Sequence, residues 1–354
     1  MRVTAFFLFF LFFSCSKDEK SLAPISSTYQ LEYEGFPNPN IPIDNKLTVE
    51  GIALGRKLFY EKALSIGESI SCAACHVQEN AFSDINRFST GVMDGIGTRQ
   101  SMAIFNMAWN DNEFFWDGRA HELRDQVLMP IQDPLEMDET LSNVVDKLYS
   151  KLDYASHFEE VFGESGINSL NISLALEQFI HSIISNKSKY DKFLKNEATL
   201  SLSEDRGRIL FFKNYDPSTP NAAFSNCTQC HGGINFENDS YANNGLDLEI
   251  DIDDIGRGNV TNSPFDKGKF KVPSLRNIEL TPPYMHDGRF ETLESVLDHY
   301  SEGIKYSSTV NPTLLSASNL GPLLSEQQKA DIVAFLKTLT DYELISNPKY
   351  SNPF

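Results

Sequence analysis

The sequence predicts a mainly α-helical protein made of two similar helical units joined by an internal duplication, with long irregular loops. Three observations predict it. Amphipathic stretches recur, as in 171–194, where Leu174, Leu176, Phe179, Ile180 and Ile183 share a broad apolar face. Two pairs of blocks match across the halves. "LGRKLFYEKALSIGESISCAACH" (54–76) matches "RGRILFFKNYDPSTPNAAFSNCTQCH" (206–231), and "FFWDGRAHELRDQVLMP" (114–130) matches "YMHDGRFETLESVLDHY" (284–300). Each half also contains one Cys-x-x-Cys-His, at Cys72, Cys75 and His76 and at Cys227, Cys230 and His231.

Taken in order, residues 1–14 read as a signal peptide of lipoprotein type. Arg2 precedes an apolar run ending at Phe13, too short to span a bilayer as a finished helix. Ser14 and Cys15 follow, and a small residue before Cys resembles the lipobox of bacterial lipoproteins. Lipidated at Cys15, the chain hangs on a membrane without crossing it; the alternative is a conventional signal peptide with a free Cys. Residues 15–46, rich in Ser, Pro and Asn, read as a lipid-anchored tether.

The first unit spans 47–199 and contains a second helix at 140–152. The junction falls after "KYDKFLKNEATL", near residue 200. The second unit spans 200–342 and closes with a helix at 325–341, where Ser325 and Gln328 form a capping box ahead of Ile332, Phe335, Leu336 and Leu339. Residues 343–354 are a C-terminal tail. The loops 83–100 and 235–270 are long and rich in Gly, Asn or Asp. Loops of that length in a compact domain are functional or wrap a cofactor. Few strands are credible.

The Cys-x-x-Cys-His spacing lets each thiol close a thioether bond on a haem vinyl while the imidazole reaches the iron. One such motif leaves a redox dithiol or half a zinc site open. Two of them behind an export signal point to two covalently bound haem c groups, with His76 and His231 as proximal ligands. The cysteine count agrees. Of five cysteines, Cys15 is the lipid candidate and the other four lie in the two motifs, so no disulfide framework remains. The net charge of −19 speaks against nucleic acid and against a basic lipid-binding patch. It suits a solvated acidic surface and docking of a basic partner.

In order, the first haem motif, "RFSTGVMDGIGTRQ", "FFWDGRAHELRDQVLMPIQDPLEM", the second haem motif and "VPSLRNIELTPPYMHDGRF" resemble the bacterial dihaem cytochrome c peroxidase family, which includes the MauG-type enzymes. The resemblance covers roughly residues 47–340. It implies two cytochrome c-like domains, a peroxidatic N-terminal haem and an electron-transfer C-terminal haem.

On the matching positions, the resemblance implies that Glu136 is the carboxylate over the N-terminal haem and Gln126 a second distal residue. A carboxylate there can take a proton from one peroxide oxygen and return it to the other. Trp116 matches the tryptophan lying between the haems. The loop with Val92 and Met93 lacks the histidine that blocks the resting haem in the strict peroxidases, which implies an open site; Met93 as a sixth ligand is the alternative. Tyr300 lies fourteen residues after His286, where MauG-type enzymes place a tyrosine ligand to the C-terminal iron. Met285, His286 and His299 are its rivals. A calcium ion near the domain boundary is also implied, with Thr281 and Pro283 as carbonyl ligands. Gln100 stands where an Asn is expected, one methylene longer. His121, His157 and His181 read as surface or satisfied core histidines.

The expected activity is reduction of hydrogen peroxide to water with electrons from a small c-type cytochrome, in the periplasm or cell envelope. A homodimer is an association the resemblance allows. Two alternatives stand beside this activity. One is MauG-like oxidation of residues on a partner protein. The other is a plain dihaem electron carrier or redox sensor, in which Glu136 has no role.

Overall fold

A computed structural model describes residues 27–216, 218, 224–315 and 321–354. The signal segment and Cys15 lie outside the described residues. The chain is rich in helix and poor in sheet. Eight principal helices run α1 (Val49–Tyr60), α2 (Leu141–Ser150), α3 (Tyr154–Phe162), α4 (Ser169–Ser182), α5 (Lys189–Leu194), α6 (Leu202–Phe211), α7 (Leu293–Asp298) and α8 (Glu326–Lys337). Two two-residue strands, β1 (Tyr241–Ala242) and β2 (Phe270–Lys271), pair antiparallel with Tyr241 opposite Lys271.

Each half is built on a pair of helices that cross at a glycine. A Cβ on Gly55 of α1 would lie 1.9 Å from the Ala175 carbonyl oxygen of α4. A Cβ on Gly207 of α6 would lie 1.8 Å from the Asp331 carbonyl oxygen of α8. These are the glycines of the two Gly-Arg-x-Leu-Phe blocks, and only a residue without a side chain lets the backbones meet this closely. Around the first crossing Leu54, Leu58, Phe59, Phe82, Phe158 and Phe179 are buried. Around the second, Phe211, Phe236, Ile332, Phe335 and Leu339 are buried.

The capping box at Ser325 and Gln328 is present at the start of α8, and Thr140 caps α2. The single helix expected over 171–194 is two helices, α4 and α5. Ile183 leaves α4 in extended geometry. The chain stays open because other groups take its amides: Asn106 Oδ1 accepts from Ser185 N at 2.7 Å, and Asp341 Oδ2 from Asn186 N and Lys187 N at 3.1 and 3.0 Å. A capping box of Ser188 and Asp191 then starts α5. Apolar periodicity runs through the break, so it could not reveal it.

Chain order and packing also part company at both ends. Tyr190 and Phe193 of α5 pack with the second core, and Tyr350 of the tail packs with the first. The described part of the expected tether, 27–46, lies against the body. Phe36 packs on the Trp109 ring at 4.8 Å, and the Trp109 indole donates to Pro37 O at 2.9 Å. Its Leu31, Tyr33 and Ile41 give that segment an apolar face to bury.

Candidate functional site

A continuous cavity of about 700 Å³ runs between the halves and is lined by both Cys-x-x-Cys-His motifs. None of the four motif cysteines is in a disulfide. Burial pushes the Cys72 thiol up to about 12 and the Cys227 thiol up to about 11. A working redox dithiol needs a lowered thiol pKa, so these pairs suit thioether attachment. Among the described residues no three His, Cys, Asp or Glu converge as a group that could hold a metal ion.

The histidines fit haem. His76 Nδ1 lies 3.1 Å from Phe82 O, and His231 Nδ1 lies 3.3 Å from Phe236 O and 3.2 Å from Pro273 O. Nδ1–H donation to a carbonyl fixes the tautomer and leaves the Nε2 lone pair for iron. Burial lowers both imidazole pKa values, His231 to about 4, so both stay neutral and able to ligate.

Glu136 and Gln126 line the same cavity as His76. Gln126 ends a one-turn helix, Leu123–Gln126. Burial raises the Glu136 pKa; Asp133 adds to the rise and Arg119 opposes it. The loop before it is tied to it. Val92 N donates to Glu136 O at 2.7 Å, and a Cβ on Gly91 would lie 2.2 Å from Leu135 O. Met93 of that loop is 76% exposed and does not line the cavity.

Trp116 is buried at the seam. Its indole donates to Gln100 O at 2.8 Å, and its own carbonyl accepts from Lys271 N of the second half at 2.7 Å. The neighbouring Asp117 pairs with Arg99 at 2.7 Å, and Arg99 reaches Asp254 at 2.8 Å. This ion-pair chain fixes the loop of each half against the other.

Tyr300 lines the cavity with Cys227, Cys230 and His231. It sits in a π-helical turn, His299–Gly303, that continues α7. Such turns mark functional positions because they re-aim a side chain. Burial pushes its phenol up to about 12, and a hydrogen bond from Asn244 acts the other way. Of its rivals, Met285 and His286 also line the cavity, whereas His299 does not. His299 Nε2 is engaged with Asn244 O at 3.0 Å. The His286 ring stacks on Phe270 at 3.6 Å.

Gln100, Thr281 and Pro283 all line the same cavity. Gln100 Nε2 donates to Ser83 Oγ and Asp84 O, both at 3.0 Å. Among the described residues nothing donates to Gln100 Oε1 or to the Thr281 and Pro283 carbonyls.

Sequence reasoning passed over three residues of the cavity: Arg119, Asn244 and Glu237. Burial and Asp239 raise the Glu237 carboxyl to about 7 against the pull of Lys271 and Asn235. A signal existed: Phe82 and Phe236 accept from the two proximal histidines, and the residues after them are Ser83 and Glu237. His121 is exposed, and His157 is half-buried with its Nδ1 on Asp153 O. His181 is buried, but among the described residues its Nδ1 has no hydrogen-bond partner, so it is not a satisfied core histidine there.

Comparison with known proteins agrees with this chemistry. The sequence pattern of the di-haem cytochrome c peroxidase family matches residues 49–199. The methylamine utilization protein MauG of Methylorubrum extorquens is 33% identical, over 91% of this chain and 86% of its own. The cytochrome c551 peroxidase of Nitrosomonas europaea is 31% identical, over 84% of each chain. The crystal structure of a MauG-like protein associated with microbial copper homeostasis superposes with a TM-score of 0.79 at 33% identity, covering 91% of this chain and 98% of that one.

Proposed function

The chain belongs to the di-haem cytochrome c peroxidase family, and on that premise we propose that Glu136 is the proton-transfer residue of a peroxidase with two haem c groups. The enzyme reduces hydrogen peroxide to two waters, taking up two protons and two electrons from a small c-type cytochrome. When bound, haem would supply redox-active iron to each half, held through Cys72, Cys75 and His76 in the first and Cys227, Cys230 and His231 in the second.

The observation that carries this reading is a buried carboxyl of raised pKa on the cavity that Cys72, Cys75 and His76 also line. Glu136 takes the proton from one peroxide oxygen and returns it to the other, which leaves as water. Burial and Asp133 raise its pKa, and Arg119 opposes the rise. Gln126 offers an amide to orient the substrate. Trp116, held between Gln100 and Lys271, offers an oxidisable ring at the seam. His76 and His231 are the proximal ligands. Tyr300, on the cavity that Cys227, Cys230 and His231 also line, is the ligand proposed for the C-terminal iron. Gln100 Oε1 and the Thr281 and Pro283 carbonyls are oxygens of the kind calcium takes, and they are the ligands proposed for it.

The two units, 47–199 and 200–342, descend from one duplicated unit; the paired glycine crossings and paired proximal carbonyls support this. Export, a lipid anchor at Cys15 and a place in the periplasm or cell envelope follow from the first 15 residues. Among the described residues no helix is long and apolar enough to cross a membrane.

Oxidation of a partner protein, as in MauG-type enzymes, is the second reading. Tyr300 favours it, because a phenolate ligand stabilises oxidised iron where a thioether does not. The test of the first reading is Glu136→Gln. Peroxide turnover with a reduced c-type cytochrome should fall about 10²–10⁴-fold with both haems retained. Unchanged turnover would remove Glu136 from the mechanism.

A further inference from the structure

We infer that the C-terminal segment 342–354 is a strap that positions His76, so that the last residues of the chain tune the N-terminal haem. The inference rests on His76 being that haem's proximal ligand and not on the peroxidase reading.

The strap is rooted at Asp341. Its carboxylate accepts from Glu343 N and Leu344 N at 3.1 and 3.3 Å and also takes the amides of the open linker between α4 and α5. From there the chain crosses to the first unit. Gln78, two residues after His76, is buried and spends its amide on the strap. Its Nε2 donates to Leu344 O at 3.0 Å and Asn347 O at 2.9 Å, and its Oε1 accepts from Ser351 Oγ at 3.0 Å. Arg56 Nη1 donates to Pro348 O and Lys349 O, both at 3.0 Å. The Tyr350 hydroxyl donates to Ser182 O at 3.0 Å and accepts from Ile184 N at 3.3 Å, while Tyr60 donates to Tyr350 O at 2.8 Å.

The Tyr350 ring stands edge-on to Phe82 at 6.2 Å. Phe82 is the residue whose carbonyl faces His76 Nδ1, and it holds a φ of +59°. A bulky residue in left-handed geometry persists only where its surroundings over-determine it. Phe59 and Tyr350 supply those surroundings. In the second unit the equivalent Phe236, φ +55°, is held by Tyr190, Phe211 and Phe335, all members of the second core. The tail therefore completes one proximal site and leaves the other untouched.

The strength of the Nδ1–H···O=C bond sets how basic the imidazole is toward iron. Releasing Phe82 weakens that bond, makes His76 a poorer donor and raises the reduction potential of its haem. The test is redox titration of both haems in the full, haem-loaded chain carrying Tyr350→Ala or Tyr350→Phe, with Gln78→Met as a milder release of the same loop. The expected result is a higher potential for the N-terminal haem in Tyr350→Ala and Gln78→Met. Tyr350→Phe, which keeps the ring, should stay close to the parent, and the C-terminal haem should be unmoved throughout. Unchanged N-terminal potentials in Tyr350→Ala and Gln78→Met would make the strap simple packing and overturn the inference. Equal shifts of both haems, a sign of general loosening, would overturn it too.

Discussion

The backbone N–H of Val92 donates to the carbonyl of Glu136 at 2.7 Å, so the loop that lacks a blocking histidine is fastened to the residue proposed to move the proton. Gly91 makes this approach feasible, since a Cβ there would lie 2.2 Å from Leu135 O and 2.4 Å from Glu136 O. Gly91→Ala must push the two segments apart. A displacement on the order of 1 Å at a reacting group can cost about 10²-fold in rate, and a loss of that size is expected in peroxide turnover with reduced cytochrome. Turnover equal to the parent's would show that the loop does not place Glu136.

With Tyr300 as the proposed ligand, Tyr300→Met would exchange a hard anionic group for a thioether. The C-terminal haem is expected to rise in reduction potential and to change its absorption spectrum, while the N-terminal haem keeps both. If the C-terminal spectrum does not change, the ligand is Met285 or His286, which line the same cavity.

The glycine crossings carry the fold. Gly207→Ala would set a methyl 1.8 Å from the Asp331 carbonyl oxygen, which belongs to backbone and cannot swing away. Overpacking of this kind costs roughly 1–3 kcal/mol, to be read as a lower denaturation midpoint. An unchanged midpoint would mean that α6 and α8 can separate at no cost.

Glu237 makes stability depend on pH. Its carboxyl stands at about 7 in the folded chain against an ordinary value of 4.5, because burial and then Asp239 disfavour its charge. Between those values the folded state binds more protons than the unfolded one. Its contribution is therefore fully present below 4.5 and is lost as pH rises toward 7. Denaturation of the haem-loaded chain across that window should show falling stability, and Glu237→Gln should flatten the slope. An equal slope in both would assign the dependence elsewhere.

The cofactor was legible in the sequence for a physical reason: covalent haem attachment demands fixed spacing, so two Cys-x-x-Cys-His motifs declare two haem c groups and name His76 and His231 as the proposed axial ligands. The capping box at Ser325 was readable because it is local. The break between α4 and α5 was not, because the groups that hold it open, Asn106 and Asp341, are distant in sequence. The strap was invisible for the same reason. Tyr350 lies in a stretch that the sequence marks only as a C-terminal tail, and only the folded chain brings its ring to Phe82. Glu237 could have been noticed by setting it beside Ser83, but its raised carboxyl depends on burial that no pattern records.

The central claim is a proton-transfer carboxylate on a site already open in the oxidised enzyme. The most direct measurement is peroxide-dependent oxidation of a reduced c-type cytochrome by enzyme isolated oxidised and never pre-reduced. Immediate turnover without a lag is the expected result. No turnover, together with no change in the haem spectrum on adding peroxide, would contradict the claim and leave a dihaem electron carrier.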